Sequence, residues 1–360
     1  MKVRVTVLLA IWLITTVSAV AQDNHQKATY IDTRPWTEAL DLLRDTTIVV
    51  IPLGAQSKEH GPHLWLRNDF LIAEYLKERL AKTQSVVIYP TVTYHYYPAF
   101  LEYAGSTSLQ FETATNLVID IIRVIAEHGP KKFYVLNTGV STLAPLKAAK
   151  ESLALQGILM TYTDILHIAG EAEKQVKQEP AGTHADEIET SMMLYMAPNT
   201  VDMTKARRDI PEVDGPGPLT LDPNNPNGHY SPTGIYGDAT LATREKGRVV
   251  VEAMVEGINQ EINALRKSTV PRRSFGTNYS SLIGTFSVSE KERVTITIEN
   301  GRLMFEGKGP RKTELIPLGE DSFTAGTRGR VVFFRDPNGG YNTVYLNWES
   351  KDYLGKRTAR

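Results

Sequence analysis

Four side chains in one short stretch, Glu59, His60, His63 and Asp69, carry the donor atoms of a divalent metal site. Imidazole nitrogen and carboxylate oxygen together suit a hard or borderline ion, and a carboxylate can bridge two of them. The four lie between TTIVV, a β-branched apolar run that reads as a buried strand, and FLIAEYLKERLAK, which reads as a helix. Gly54, Gly61 and Pro62 mark turns in the connection. With Asn68 as N-cap, Asp69 falls in the first helical turn and shares a face with Ile72, Ala73, Leu76 and Leu80. That apolar face turns inward, so the carboxylate is expected near the end of a sheet, where it needs a cationic partner. Taken singly, Asp69 could serve only the helix N-terminus, worth about 0.3–1 kcal/mol, and the histidines could be plain loop residues. Clustered on one strand-to-helix loop, they point to metal.

The elements that must position this cluster alternate along the chain. ATYIDTRPWTEALDLLRD reads as a helix feeding the first strand, and SVVIYPTVTY as a second strand. FETATNLVIDIIRVIAEHG is an amphipathic helix stopped by Gly129-Pro130, and KKFYVLNTG is again a strand running into a loop. A further helix is expected from Thr183, carrying Glu187 and Glu189 beside an apolar set. A long Pro- and Gly-rich loop follows, and REKGRVVVEAMVEGINQEINALRK closes the unit as a helix. Nearly all-apolar strands alternating with helices predict an α/β fold with a parallel sheet covered on both faces. From about Ser274 the pattern changes to short β-rich runs separated by Asn-Gly and Pro-Asn-Gly-Gly turns. This predicts a small antiparallel all-β domain over 275–360, joined through STVPRR to an α/β domain over 28–268. The β-rich part holds no histidine, so a second metal centre is not expected there.

KEHGPHLWLRND resembles the first signature of the creatininase (creatinine amidohydrolase) family, roughly E-Q-H-G-P-H-L-P-L-x-T-D. His60, Gly61, Pro62, His63, Leu64, Leu66 and Asp69 match in register. The family's first Glu position is Lys58 here, with Glu59 next to it as a displaced ligand, and Trp65 replaces a Pro. In the loop after KKFYVLNTG, where the family carries a metal-binding His, this chain has Gly139; His95 is a free candidate to replace it. His184-Ala185-Asp186-Glu187-Ile188-Glu189-Thr190-Ser191 resembles the family's H-A-G-E-x-E-T-S. A fourth stretch, Gly234 to Asp238 followed by Ala242-Thr243 and Glu245-Lys246-Gly247, resembles its G-V-x-G-D-P…A-T-x-E-K-G. The resemblance implies an α/β sandwich of creatininase type with Glu59, His60, Asp69 and Glu189 as metal ligands and His184 and Glu187 as catalytic residues. One or two divalent ions, zinc or manganese, would be held there, and a small cyclic or linear amide cleaved by a metal-activated water. It also implies a homo-oligomer. Asp186 and Glu189 also have capping-box spacing, a structural use that needs no chemistry. The other reading is an inactive binding protein on the same scaffold, with the β-rich tail as its interaction module.

The formal net charge of −1 and the lack of a basic stripe argue against a nucleic-acid partner. The N-terminus has Lys2 and Arg4, an apolar stretch shorter than the ~20 residues of a bilayer span, and Ala19-Val20-Ala21 before Gln22. It reads as a cleaved signal peptide over 1–21, placing the mature chain in the periplasm or outside the cell with no lasting membrane anchor. Without cysteine there is no disulfide framework.

Overall fold

A computed structural model describes residues 27–210, 218–272, 279–299, 301–307, 312–317, 321–325, 329–349 and 351–358. The expected signal peptide lies outside them. The organising element is a five-stranded, all-parallel sheet of β1 (Thr29–Tyr30), β2 (Ile48–Leu53), β3 (Val87–Ile88), β4 (Lys132–Asn137) and β5 (Leu159–Tyr162), in spatial order β1-β3-β2-β4-β5. All six residues of β2 are buried, because alternate side chains enter opposite cores. Ile48 and Val50 meet α2 (Asn68–Thr83) and the 24-residue α7 (Arg244–Lys267) on one face. Val49, Ile51 and Leu53 meet α3 (Phe111–Glu127) and α4 (Leu143–Leu155) on the other. The result is a three-layer α/β sandwich. Each Leu, Ile or Val buried this way stabilises it by about 1.5–3 kcal/mol.

The first predicted helix is cut short. Thr29–Tyr30 pair with Val87 and Ile88 at the sheet edge, and only Trp36–Leu42 (α1) is helical. Pro35, which lacks an N–H, sits at the N-cap and starts the helix late. The long predicted strand at 85–94 is regular only at Val87–Ile88, with one further bridge from Val92 to Leu53. After β5 come α5 (Gly170–Val176) and α6 (Glu187–Met196), the latter packed against α7. Gly247 permits that approach: a Cβ there would stand 1.8 Å from the Ser191 carbonyl oxygen. Part of the Pro- and Gly-rich loop, 211–217, lies outside the described residues. The remainder forms two short strand pairs, Arg208–Asp209 with Gly237–Asp238 and Leu219–Thr220 with His229–Tyr230.

Beyond α7, nine strands among the described residues between Gly284 and Arg357 form one antiparallel sheet. Its own core contains Phe286, Phe305, Phe323, Phe333 and Trp348, with the Phe305 and Trp348 rings stacked at 4.8 Å. Gln156, after α4, donates to the Pro317 carbonyl of this sheet at 3.1 Å. Among the described residues no helix is long and apolar enough to cross a membrane.

Candidate metal centre

The loop after β2 and the first turns of α2 and α6 converge at the carboxyl ends of β2 and β4, the usual ligand position of an open parallel sheet. Gly54 lets the chain leave β2 directly beneath α2, since a Cβ there would lie 2.4 Å from the Asp69 carbonyl oxygen. Thr138, at the end of β4, donates to the same carbonyl at 3.2 Å. Asp69 is thereby fixed in the first turn of α2 with its side chain buried, as the helical spacing requires. Asn68 does not cap the helix. Arg67 is the N-cap residue, without a side-chain cap bond, and Asn68 instead donates to Glu189 Oε1 at 2.8 Å.

His60, Asp69 and Glu189 each offer a ligand atom, and the three atoms lie within 4.8 Å of one another. His60 Nδ1 is tied to the Lys58 carbonyl at 2.8 Å, which leaves Nε2 facing Asp69 Oδ1 at 2.9 Å and Glu189 Oε1 at 3.5 Å. One nitrogen and two carboxylates, that of Glu189 only half-buried, form a donor set that suits zinc or manganese. Lys58 places its ammonium 2.9 Å from the other Asp69 oxygen. Burial alone would raise the Asp69 carboxyl, but Lys58 and His60 hold it well below the ordinary carboxylate range. For Glu189, burial is likewise outweighed by His60, His184 and Lys58, and its carboxyl is lowered.

Glu59 stands apart from that trio. Its Oε2 meets His184 Nε2 at 2.9 Å, and its Oε1 accepts the Gly61 N–H. Gly234 makes room for it, because a Cβ there would lie 2.2 Å from Oε1. The residue expected as a further ligand is therefore the hydrogen-bond partner of the expected proton carrier. Burial pushes the His184 imidazole down, but Glu59 more than compensates and its proton affinity is raised. The ring leans on Phe100 at 4.3 Å between centroids, and its backbone pairs with Tyr236. Between His184 and α6, Ala185 adopts a left-handed φ of 48°, uncommon for a residue with a Cβ. Its N–H donates to Glu189 Oε2 at 2.7 Å. Asp186 caps α6 by accepting the Glu189 N–H at 2.9 Å, so the capping use and the inward carboxylate coexist.

Glu187 is placed elsewhere. Its buried carboxylate pairs with Lys246 of α7 and accepts the Gln178 and Glu179 N–H groups at 2.8 and 2.7 Å. Two residues along a helix point about 200° apart, so Glu187 and Glu189 cannot face the same site. His63 bonds Thr190 Oγ1 through Nε2 at 2.7 Å, and burial lowers it to about 4. His95 is also fully buried, is lowered to about 4 by that burial, and does not line the cavity.

A cavity of about 890 Å³ opens beside the trio, bordered by Lys58, Asp69, His184 and Glu189 and walled by Tyr97, Phe100, Val140, Leu219 and Tyr236. Gly139, at the position of the family's missing histidine, lies on its edge. The Tyr97 hydroxyl is buried without a hydrogen-bond partner. Sequence reasoning missed Asn68, Lys58 and Tyr97. Of these only Lys58, a cation inside the ligand motif, left a signal.

An α/β sandwich with a His–Asp–Glu cluster at the carboxyl ends of its strands has the donor set of a metal-assisted hydrolase. The creatininase family model (creatinine amidohydrolase) matches residues 32–262, well over half of the chain. The chain belongs to the creatininase family and is a hydrolase of that type. It is 27% identical over 233 residues to the creatinine amidohydrolase of Pseudomonas putida, covering 60% of this chain and 88% of that protein. It is also 27% identical over 222 residues to the mycofactocin precursor peptide peptidase of Mycobacterium ulcerans, covering 58% and 81%. A solved structure described as "Creatininase Mn" superposes with a TM-score of 0.57 at 23% identity, over 67% of this chain and all of that one. That likeness shows the fold.

Proposed function

We propose that the chain hydrolyses a carbon–nitrogen bond of an amide, with a divalent ion held by His60, Asp69 and Glu189. The observation that carries this reading is the convergence of those three donors, His60 and Asp69 buried and Glu189 half-buried, on one edge of a large cavity. A zinc or manganese ion bound there would acidify a water and polarise the substrate carbonyl. His184 is the proton carrier. With Nε2 engaged by Glu59, Nδ1, which lies 3.8 Å from Glu189 Oε2, is the atom that would take up a proton and return it to the departing nitrogen. Glu59 then orients the imidazole and stabilises its charged form, as the carboxylate of a catalytic triad does. Burial keeps the Tyr97 phenol protonated beside the site.

The cavity supports a substrate with apolar substituents. About 890 Å³ is near the upper end of the ~300–1,000 Å³ typical of ligand pockets, and most of the walls are aromatic or aliphatic. The test is hydrolysis of a panel of cyclic amides and N-acyl or peptidyl amides, before and after chelation and after adding back zinc or manganese. Activity that is lost and then restored supports the reading; activity untouched by complete metal removal rejects it. Export belongs to the same proposal, resting on the basic and apolar N-terminus with its Ala19-Val20-Ala21 site. N-terminal sequencing of the mature protein, expected to begin at Gln22, checks it.

A further inference from the structure

The least expected group in the site is Lys58. Its side chain is buried, with the ammonium 4.7 Å from the Phe100 ring, 5.8 Å from the Tyr97 ring and 2.9 Å from Asp69 Oδ2. Asp69 thus presents its two oxygens in two directions, Oδ1 toward His60 and Oδ2 toward the ammonium. A carboxylate shared between two metal ions divides its oxygens in the same way. The two ligand positions at which this chain departs from the family pattern are Lys58 and Gly139, a carboxylate and an imidazole respectively. The second position is also crowded on one side. A Cβ at Gly139 would stand 3.0 Å from Thr142 Oγ1 and 3.1 Å from its methyl, and that hydroxyl is fixed by Asn137 Oδ1 at 2.6 Å.

We infer that the Lys58 ammonium stands in the place of a second cation, so that the centre takes one divalent ion and Asp69 bridges it to a lysine. The charges agree. A carboxylate ligand and a divalent ion together carry one net positive charge, and so does one ammonium. The protein-borne charge is held among two aromatic faces and repels a further ion from Asp69 Oδ2. The single ion then depends on His60, Asp69 and Glu189, a dependence that rests on the ligand assignment above.

Metal stoichiometry tests this without reference to activity. Wild type, Lys58→Glu and Lys58→Met are stripped, titrated with Mn²⁺, and followed by elemental analysis and electron paramagnetic resonance. Wild type is expected to saturate at one Mn²⁺ per chain with an uncoupled spectrum. Lys58→Glu is expected to saturate at two, with coupling between the ions. Lys58→Met, which removes the competing charge without adding a ligand, is expected to bind the first ion ~10-fold more tightly or better. Two coupled ions in wild type overturn the inference. So does a folded Lys58→Glu protein that stops at one, or a Lys58→Met protein whose affinity is unchanged or weaker. Wild type that binds no Mn²⁺ overturns the ligand assignment and this inference together.

Discussion

Replacing Lys246 by Met tests the claim that Glu187 holds helices together and takes no part in the reaction. Lys246 Nζ reaches three acceptors: Glu187 Oε1, Gln178 Oε1 at 2.8 Å and the Leu241 carbonyl at 2.8 Å. Without it, a fully buried carboxylate keeps only the two N–H groups on its other oxygen. Removing one partner of a buried pair costs about 3–5 kcal/mol, and the two surviving bonds set the lower end, about 3 kcal/mol. For a domain of this size each kcal/mol moves the Tm by about 2–4 °C, so a fall of about 6–12 °C is expected. Thermal unfolding followed by circular dichroism, with Lys246→Arg as the charge-retaining control, measures it. The sign with pH is also fixed. Burial raises the Glu187 carboxyl, but Lys246 and the backbone donors lower it below its ordinary 4.5. The pair therefore stabilises the fold above that pH and fades as pH falls through the lowered value, so wild type and variant should converge in acid. A Tm within about 2 °C of wild type at neutral pH would refute the structural role. A loss of turnover of ~10²-fold or more in a folded Glu187→Gln protein, the scale of an acid–base residue, would refute it as well.

Three other outcomes follow from the same geometry. His184→Ala should keep its metal and its fold while turnover drops ~10²–10⁴-fold; retained activity rejects the proton-carrier role, and lost metal makes His184 a ligand. His95, neutral in the fold and lowered from 6.5 to about 4, contributes stability that is intact above pH 6.5 and is lost as pH falls toward 4. The shift corresponds to about 3 kcal/mol. His95→Gln should flatten the acid limb of a stability–pH curve by that amount, and an unchanged limb contradicts it. Limited proteolysis within 266–275, just past the end of α7, should release a stable α/β fragment; a fragment that unfolds on cleavage places the domain boundary elsewhere.

What the sequence disclosed of the site was whatever local geometry determines. Asp69 faces inward because helical spacing aligns it with Ile72, Leu76 and Leu80, and the buried β2 declares itself by its unbroken apolar run. The α/β sandwich and the antiparallel tail were legible for the same reason: each is a rhythm of short-range pattern. Contacts across the chain were not legible. Asn68 has the chemistry of a helix cap, and only the approach of α6 shows that its amide is spent on Glu189. Glu59 and Glu187 are carboxylates inside family-like motifs, yet His184 claims one and Lys246 of α7 the other, partners 125 and 59 positions away. Asp186 and Glu189 posed a choice between cap and ligand that the structure dissolves: Asp186 caps through its own side chain, and the left-handed Ala185 turns its N–H to hold Glu189 in place. Lys58 is the reverse case. Its identity was visible as a departure, but its meaning depends on the 2.9 Å separation from Asp69.

The most direct measurement is the metal content of the wild-type protein purified without chelator, determined beside Asp69→Asn with folding of both verified by circular dichroism. Zinc or manganese bound by the wild type and absent from the variant is the expected result. Wild-type protein that carries no metal, and takes up none when zinc or manganese is added, would contradict a centre at His60, Asp69 and Glu189 and leave the chain a binding protein on a hydrolase scaffold.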